Sequence, residues 1–410
     1  MAERLVVTGM GAVSALGFTA EENWAAARDG VTGIKIQPFD PGPHGPASVD
    51  FPAAPVKDAA LPALEAALGK RIGNSLDPFA AHALMAAHEA LGQARLLGAP
   101  LGHRAAAIMG NGIGGLRTLE KAYERLFGLK ATKVHPLTIP RVMVSAPVSA
   151  IAIEFGITGP VFATASACAS SAHAIAQAAA LITAGLADMA VAGGSEAMAS
   201  PGGLRAWDSL GAMSESTCRP FSAGRDGMIV GEGGAAIVLE RESHAEARGA
   251  TPLAYYVGAG MSSDAFHWTQ PTLEGAVTAM RQACEPGGLL DDDEVLIAAH
   301  GTGTDLNDKN EAAAIKHLFG DKAAHHPVTA TKSAHGHLIG ASAALQAVIG
   351  LKALAAGLAP PILGYLGEDP ECAGIDLVLG PKARAIKARS LLVNAFAFGG
   401  LNCSLAFRAA

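Results

Sequence analysis

Apolar positions along this chain recur in two alternating rhythms, short runs with strand character and longer runs with the 3.6-residue spacing of helices. Arg4 to Thr8 predicts a short strand, and Gly9-Met10-Gly11-Ala12-Val13-Ser14 a glycine-rich turn behind it. Residues 39–55 mix Pro, Gly and Asp with little periodicity and predict a surface excursion. Asp77 to Ala94 has helical spacing, and Ala105 to Met109 reads as a buried strand that ends in the glycine-rich stretch 110–115. Leu116 to Leu129 follows as an amphipathic helix, then Thr132 to Pro140 as extended chain, because Pro136 and Pro140 both restrict their predecessors. Ala169 to Ala184 is Ala-rich and almost uncharged, which predicts a helix buried on all sides. Met189 to Gly194 and Ala235 to Glu240 read as strands around a loop from Arg219 to Gly234.

The second half repeats this rhythm. Strands are expected over Pro252–Met261, Glu294–Ala299 and Val328–Thr331, and near 377–380, 391–398 and 403–407. Helices are expected over Leu273–Cys284, Asn310–Phe319 and Leu338–Ala356. Such alternation implies an α/β protein with mixed or parallel sheets covered by helices, duplicated around one shared core. The seam falls near Arg241 to Thr251, giving halves at residues 1–250 and 251–410 without a linker between them.

Composition narrows the function classes. A chain of 410 residues, half of them hydrophobic, can bury a large core, and a formal net charge of −7 argues against a nucleic-acid footprint. Five cysteines without paired short spacing indicate neither a disulfide framework nor a zinc site, which fits a reducing cytoplasm. The N-terminus has no signal-type apolar region and no charge-free span of membrane length stands out, so a soluble protein is expected.

Three polar clusters at predicted strand ends exceed what packing requires. Cys168 sits among small residues in Thr164-Ala165-Ser166-Ala167-Cys168, at the start of the buried helix, where the helix dipole and free N–H groups favour a thiolate. One strand runs into His300-Gly301-Thr302-Gly303-Thr304, another into Lys332-Ser333-Ala334-His335-Gly336-His337. In open α/β sheets ligands bind at the carboxyl ends of strands, so two imidazoles and an ammonium can meet one thiol there. Metal binding by His335 and His337 is the weaker reading, since no carboxylate or thiolate pattern accompanies them. A dinucleotide site at Gly9 to Ser14 is weaker still, because the third glycine of that fingerprint is missing.

These landmarks, with Gly193-Gly194-Ser195-Glu196, Arg219-Pro220-Phe221, Arg225-Asp226-Gly227, Gly231-Glu232-Gly233 and the run Asn394 to Asn402, resemble the elongating, Cys-His-His branch of the β-ketoacyl-acyl carrier protein synthases. The resemblance covers nearly the whole chain and implies a thiolase-like five-layer α-β-α-β-α fold from two similar halves. It also implies decarboxylative condensation of an acyl chain on Cys168 with a malonyl thioester on acyl carrier protein. Cys168 and Phe398 would supply the oxyanion-hole N–H groups, His300 and His337 would bind the malonyl carbonyl, and Lys332 would orient the histidines. Thr302, Thr304 and Thr269 match positions holding the phosphopantetheine arm, Phe396 a mobile gate, and Ile113 the floor of the acyl pocket. The arm arrives on the carrier protein, so no cofactor or metal of the enzyme's own is implied. Partners implied are acyl carrier protein and a second subunit, either an identical copy or an unlike homologue.

The chain departs from the family at several points. Gln346 stands where a Glu usually balances the lysine corresponding to Lys332, and Ala397 replaces a glycine, which is expected to stiffen the gate loop. Two common carrier-docking positions fall on Asn74 and Ser75, leaving Lys70, Arg71, Lys130 and Lys133 as the expected docking patch. Two other readings compete: a silent chain-length partner subunit, which would lack the nucleophile, and a degradative thiolase, which would need a second reactive cysteine in a glycine-rich C-terminal loop. Cys168 is present, and Cys403 lies in a strand pattern.

Overall fold

The computed structural model describes residues 3–40, 49–70, 72 and 75–410. Among these, eleven strands join in one hydrogen-bonded sheet: β1 (Leu5–Ser14), β2 (Ala105–Gly110), β3 (Val161–Thr164), β4 (Met189–Glu196), β5 (Gly233–Arg241), β6 (Ala254–Ser263), β7 (Val295–Ala298), β8 (Pro327–Thr329), β9 (Asp376–Leu377), β10 (Ser390–Ala397) and β11 (Leu401–Ala409). Their spatial order is β9-β8-β7-β10-β11-β6-β1-β5-β4-β2-β3. In β3-β2-β4-β5-β1 the first two pairings are parallel and the last two antiparallel. The series β8-β7-β10-β11-β6 repeats that pattern strand for strand. The two sets join through a short antiparallel ladder, Leu5–Val7 on Ala254–Tyr256.

Six of the helices among the described residues build the layers: α1 (Pro78–Gln93), α2 (Ala146–Phe155), α3 (Ser170–Thr183), α4 (Leu273–Cys284), α5 (Asp305–Phe319) and α6 (Ser342–Ala356). α1 and α2 cover the outer face of the first strand set, and α4 and α5 that of the second. α3 and α6 lie between the sets and contact strands of both, so the layering is α-β-α-β-α. The apolar stretch Ile339–Ala356 is long enough to cross a membrane by composition, yet 83% of it is buried inside the protein as this middle layer.

The segment Gly9 to Ser14 is part of β1 and not a turn. Its glycines serve close packing: a Cβ on Gly9 would lie 2.0 Å from the Ala90 carbonyl oxygen, and one on Gly11 would lie 2.0 Å from that of Ala86, both on α1. The second half uses the same device, since Cβ atoms on Gly258 and Gly260 would come within 3.0 and 1.9 Å of the carbonyl oxygens of Ala283 and Ala279 on α4. Glycines two apart on a strand against alanines four apart on a helix thus mark the duplication in both copies.

Other expectations change as well. Val49–Ala54 is a strand, antiparallel to Lys35–Phe39 and parallel to Val230–Gly231, with Phe51, Ala53 and Ala54 buried; residues 41–48 of the expected excursion lie outside the described residues. Thr138–Val142 forms a helical turn within the segment expected to be extended, because Pro140 sits in its first turn, where no N–H is required. α5 begins at Asp305, five residues before the expected Asn310.

Gly11→Ala is expected to destabilise the protein by about 3 kcal/mol or to prevent folding, since helix backbone blocks the added methyl. Gly367→Ala, where nothing lies within 4 Å, should stay within about 0.5 kcal/mol. Denaturant unfolding monitored by circular dichroism compares the two, and equal stabilities would contradict this account of the glycines.

Candidate active site

Four strand ends deliver the site. Beyond β3 the chain turns through Ser166 and Ala167, whose φ of +48° is left-handed, into the 3-10 turn Ala167–Ala169 that leads α3. This sharp turn aims Cys168 away from its own helix and toward His337, whose Nε2 lies 3.2 Å from Sγ. β7 runs into His300, β8 into Lys332 and the turn before His337, and β10 into Phe398. The small sheet over Val230–Gly231 holds the backbone of His337: its N–H donates to the Ile229 carbonyl at 2.6 Å and its carbonyl accepts from Gly231 N–H at 2.9 Å.

Hydrogen bonding fixes the tautomers. Ile339 N–H donates to His337 Nδ1 at 3.0 Å and the Ser342 hydroxyl lies 2.8 Å from the same atom, so the proton of the neutral ring is on Nε2, facing the thiol. Lys332 Nζ lies 3.5 Å from His300 Nδ1, which by the same logic leaves His300 with an Nε2 proton. The two rings meet edge to face with centroids 5.5 Å apart. Burial, followed by the Lys332 charge, holds both histidines well below the usual imidazole range, so both are neutral donors.

Lys332 is fully buried. Its Nζ donates to the His300 carbonyl and, at 2.7 Å, to Gln346 Oε1, while Gln346 Nε2 donates to the Ala299 carbonyl. Burial brings Lys332 down to about 8, opposed first by the carboxylate of Glu311. The hydrogen bond expected from a Glu at position 346 is therefore made by a neutral amide, and the charge comes from farther away.

Sequence reasoning missed Glu311. It accepts from His300 N–H at 2.7 Å, Gly301 N–H at 2.8 Å and Asn394 Nδ2 at 3.0 Å, and so ties α5 to the end of β7 and to β10. Asp308, one turn earlier on α5, accepts from Thr302 N–H at 3.1 Å and Phe221 N–H at 2.8 Å. The available signal was an acid pair at i, i+3 just after a Gly-Thr-Gly-Thr loop whose amides need acceptors.

A cavity of about 380 Å³ is lined by Cys168, His300, His337, Phe396, Phe398, Thr269, Thr302 and Thr304, together with Trp207. The Thr302 and Thr304 hydroxyls lie 2.8 Å apart on its wall. Backbone N–H groups of Cys168 and Phe398 both face Sγ.

The other expected residues are placed as follows. Burial pushes the Cys168 thiol up to about 11, against the pull of the Lys332 charge, so desolvation outweighs the helix terminus and the resting group is a thiol. Phe396, the expected gate, lines the cavity with its backbone paired opposite Asn402 in the β10–β11 ladder; Phe398 is 37% exposed in the turn that follows, before Gly399 at φ +79°. On the single chain Ile113 is 48% exposed and does not line this cavity, and the N–H of the preceding Gly112 donates to Glu196 Oε2 at 2.6 Å. His335 is used internally, with Nε2 at 2.9 Å from the Thr331 hydroxyl and Nδ1 at 2.7 Å from the Gly336 carbonyl. Lys130 and Lys133 are exposed, Lys70 is ion-paired to Glu154 at 2.7 Å, and Arg71 and Asn74 lie outside the described residues.

A duplicated five-layer fold that places one thiol, two neutral imidazole donors and paired backbone N–H groups in a single cavity defines a thiolase-fold condensing acyltransferase. Residues 2–245 match the beta-ketoacyl synthase N-terminal domain and residues 253–366 its C-terminal domain, and the chain belongs to the beta-ketoacyl synthase family. Nodulation protein E of Rhizobium meliloti strain 1021 is 41% identical, with 100% of both chains covered. 3-Oxoacyl-[acyl-carrier-protein] synthase 2 of Staphylococcus aureus strain COL is 34% identical over 99% of this chain and 98% of its own. Among solved structures, the ishigamide ketosynthase/chain length factor superposes with a TM-score of 0.88 at 29% identity, covering 100% of both chains.

Cys168 alone among the five cysteines lines the cavity, and all the others are buried. Iodoacetamide should therefore add one carboxamidomethyl group per native chain, mapped to Cys168 by peptide mass, and none to Cys168→Ala. A first adduct on another cysteine would contradict the geometry.

Proposed function

We propose that this chain elongates carrier-bound acyl chains by decarboxylative condensation, with Cys168 as the acyl carrier and His300 and His337 as the malonyl-binding pair. The observation that carries this reading is the Nε2 proton of His337, fixed by Ile339 N–H at Nδ1 and directed to within 3.2 Å of the nucleophile. In the first step Sγ attacks the acyl thioester, the bond to the arm sulfur breaks, and the thiol proton leaves with that sulfur. The oxyanion is met by the N–H groups of Cys168 and Phe398. In the second step the malonyl thioester carbonyl accepts from His300 and His337, the bond to its carboxylate breaks, and carbon dioxide departs. The enolate carbon attacks the Cys168 acyl carbonyl, a carbon–carbon bond forms, and the Cys168 thiolate is released and reprotonated.

The relatives support carrier-borne substrates: one is named for an acyl-carrier-protein substrate, and the ishigamide ketosynthase is described together with a chain length factor. We extend this to acyl carrier protein as substrate donor, with Thr302, Thr304 and Thr269 lining the arm's path, and to pairing with a second copy or an unlike homologous subunit. The halves 1–250 and 251–410 act as one catalytic unit, the nucleophile from the first and the His/Lys set from the second. The unpaired cysteines suit a cytoplasmic site of action. The donor atoms of Cys168, His300 and His337 lie within 4.8 Å of one another, a spacing open to a soft cation, but the adjacent Lys332 ammonium opposes one. Acyl transfer should survive exhaustive chelation, and loss restored by zinc would favour a metal site.

His337→Ala is expected to load an acyl group on Cys168 yet lose decarboxylation of malonyl-carrier protein by about 100-fold or more. Single-turnover loading and carbon dioxide release measure the two halves separately; failed loading with intact decarboxylation would reverse the assignments. Lys130→Glu with Lys133→Glu should raise the KM for acyl-carrier protein several-fold and leave a small pantetheine thioester unaffected. Equal losses on both substrates would remove these lysines from docking.

A further inference from the structure

The Lys332 ammonium is held by a side chain that brings no charge. Gln346, on the interior helix α6, accepts from Nζ at 2.7 Å through Oε1 and donates through Nε2 to the Ala299 carbonyl, one residue before His300. The amide is therefore oriented from both ends. It locks the lysine to the strand end that carries His300, whose own carbonyl and Nδ1 complete the Nζ environment. A carboxylate in the same pose would aim one oxygen at the Ala299 carbonyl, so the local acceptor pattern fits an amide.

We propose that Gln346 is a positioning residue that gives Lys332 an acceptor without a counter-charge, so that the reactivity of Cys168 falls with loss of the Lys332 proton and Gln346→Glu moves that fall to higher pH. The inference rests on the condensing reading for its effect on turnover, but its effect on the thiol does not depend on it. The groups facing Lys332 come from every neighbouring element: Glu311 and Asp308 on α5, Cys168 before α3, Cys218 from the loop after β4, His300 after β7, and His335 and His337 on its own segment. Glu311 is spread over three donors, and Asp308 accepts from the N–H groups of Thr302, Gly303 and Phe221, and neither is ion-paired to Nζ. Lys332 is lowered to about 8, and while protonated its charge pulls down Cys168, His300 and His337. Above that pH the site loses the field that stabilises a developing thiolate or enolate, and the reaction acquires an alkaline limit.

The test is the pH dependence of Cys168 alkylation by iodoacetamide, followed by peptide mass between pH 6 and 10, beside the kcat/KM of condensation over the same range. In the native enzyme the rise of log rate with pH should break near pH 8, where condensation also begins to fall. Gln346→Glu should move both breaks upward by about one unit or more, the effect of an opposite charge at hydrogen-bond distance. Gln346→Ala, which leaves Nζ without this acceptor, should slow condensation at every pH and bring the break below that of the native enzyme. A break that stays in place in Gln346→Glu overturns the proposal, and if that variant does not fold, an unmoved break in Gln346→Ala does so. A shifted alkylation profile in an enzyme that condenses nothing would keep this inference and remove the condensing function.

Discussion

A lysine charge sealed in the protein interior is the constraint on which the rest of this site depends. Placing an ammonium out of water costs several kcal/mol unless polar groups enclose it, and here two carbonyl-type oxygens and an imidazole nitrogen do so. Burial, reinforced by the same charge, keeps His300 and His337 neutral, and their single protons are consequently donors aimed into the cavity. A neutral donor can hydrogen-bond a carbonyl that is becoming an enolate without adding a proton to be managed. The arrangement works because Glu311 lies close enough to moderate the lysine and is too committed to backbone amides to neutralise it.

The duplicated architecture explains how such groups come together. Parallel strands of both halves, β3 in the first and β7 and β8 in the second, lead into the cavity, and the helices α3 and α6 lie between the two strand sets. Cys168 leads one of these helices, while the turn carrying His337 leads the other, so the nucleophile and its hydrogen-bond donor are set by packing in the same middle layer. The glycine-on-alanine contacts of β1 with α1 and of β6 with α4 hold the outer layers close.

Much of this was legible in the sequence because its signals are local. Strand and helix periodicity located the alternation, and three strand-end clusters gave Cys168, His300, Lys332 and His337 as one group. The misses arose where tertiary contact overrides local preference. Gly9 and Gly11 read as a turn until a helix backbone is placed against them, and Glu311 reads as one more helical acid until the amides of His300 and Gly301 arrive. The expected resting thiolate at Cys168 failed for a related reason, since a helix terminus is visible in sequence whereas the depth of burial is not. Phe396 and Phe398 differ in their backbone setting, which only the fold shows: the first lies in the ladder and the second in the turn beyond it.

The central claim is that Cys168 carries an acyl group that malonyl-carrier protein then discharges by forming a carbon–carbon bond. A pulse–chase with intact-mass detection tests it: the enzyme is loaded from acyl-carrier protein, desalted, and chased with malonyl-carrier protein labelled in its free carboxylate. The account predicts one acyl mass per active chain at Cys168, stable alone, and lost on the chase with one labelled carbon dioxide and a 3-oxoacyl carrier product. Discharge by coenzyme A or water without carbon dioxide, or an acyl mass on any other residue, would contradict it.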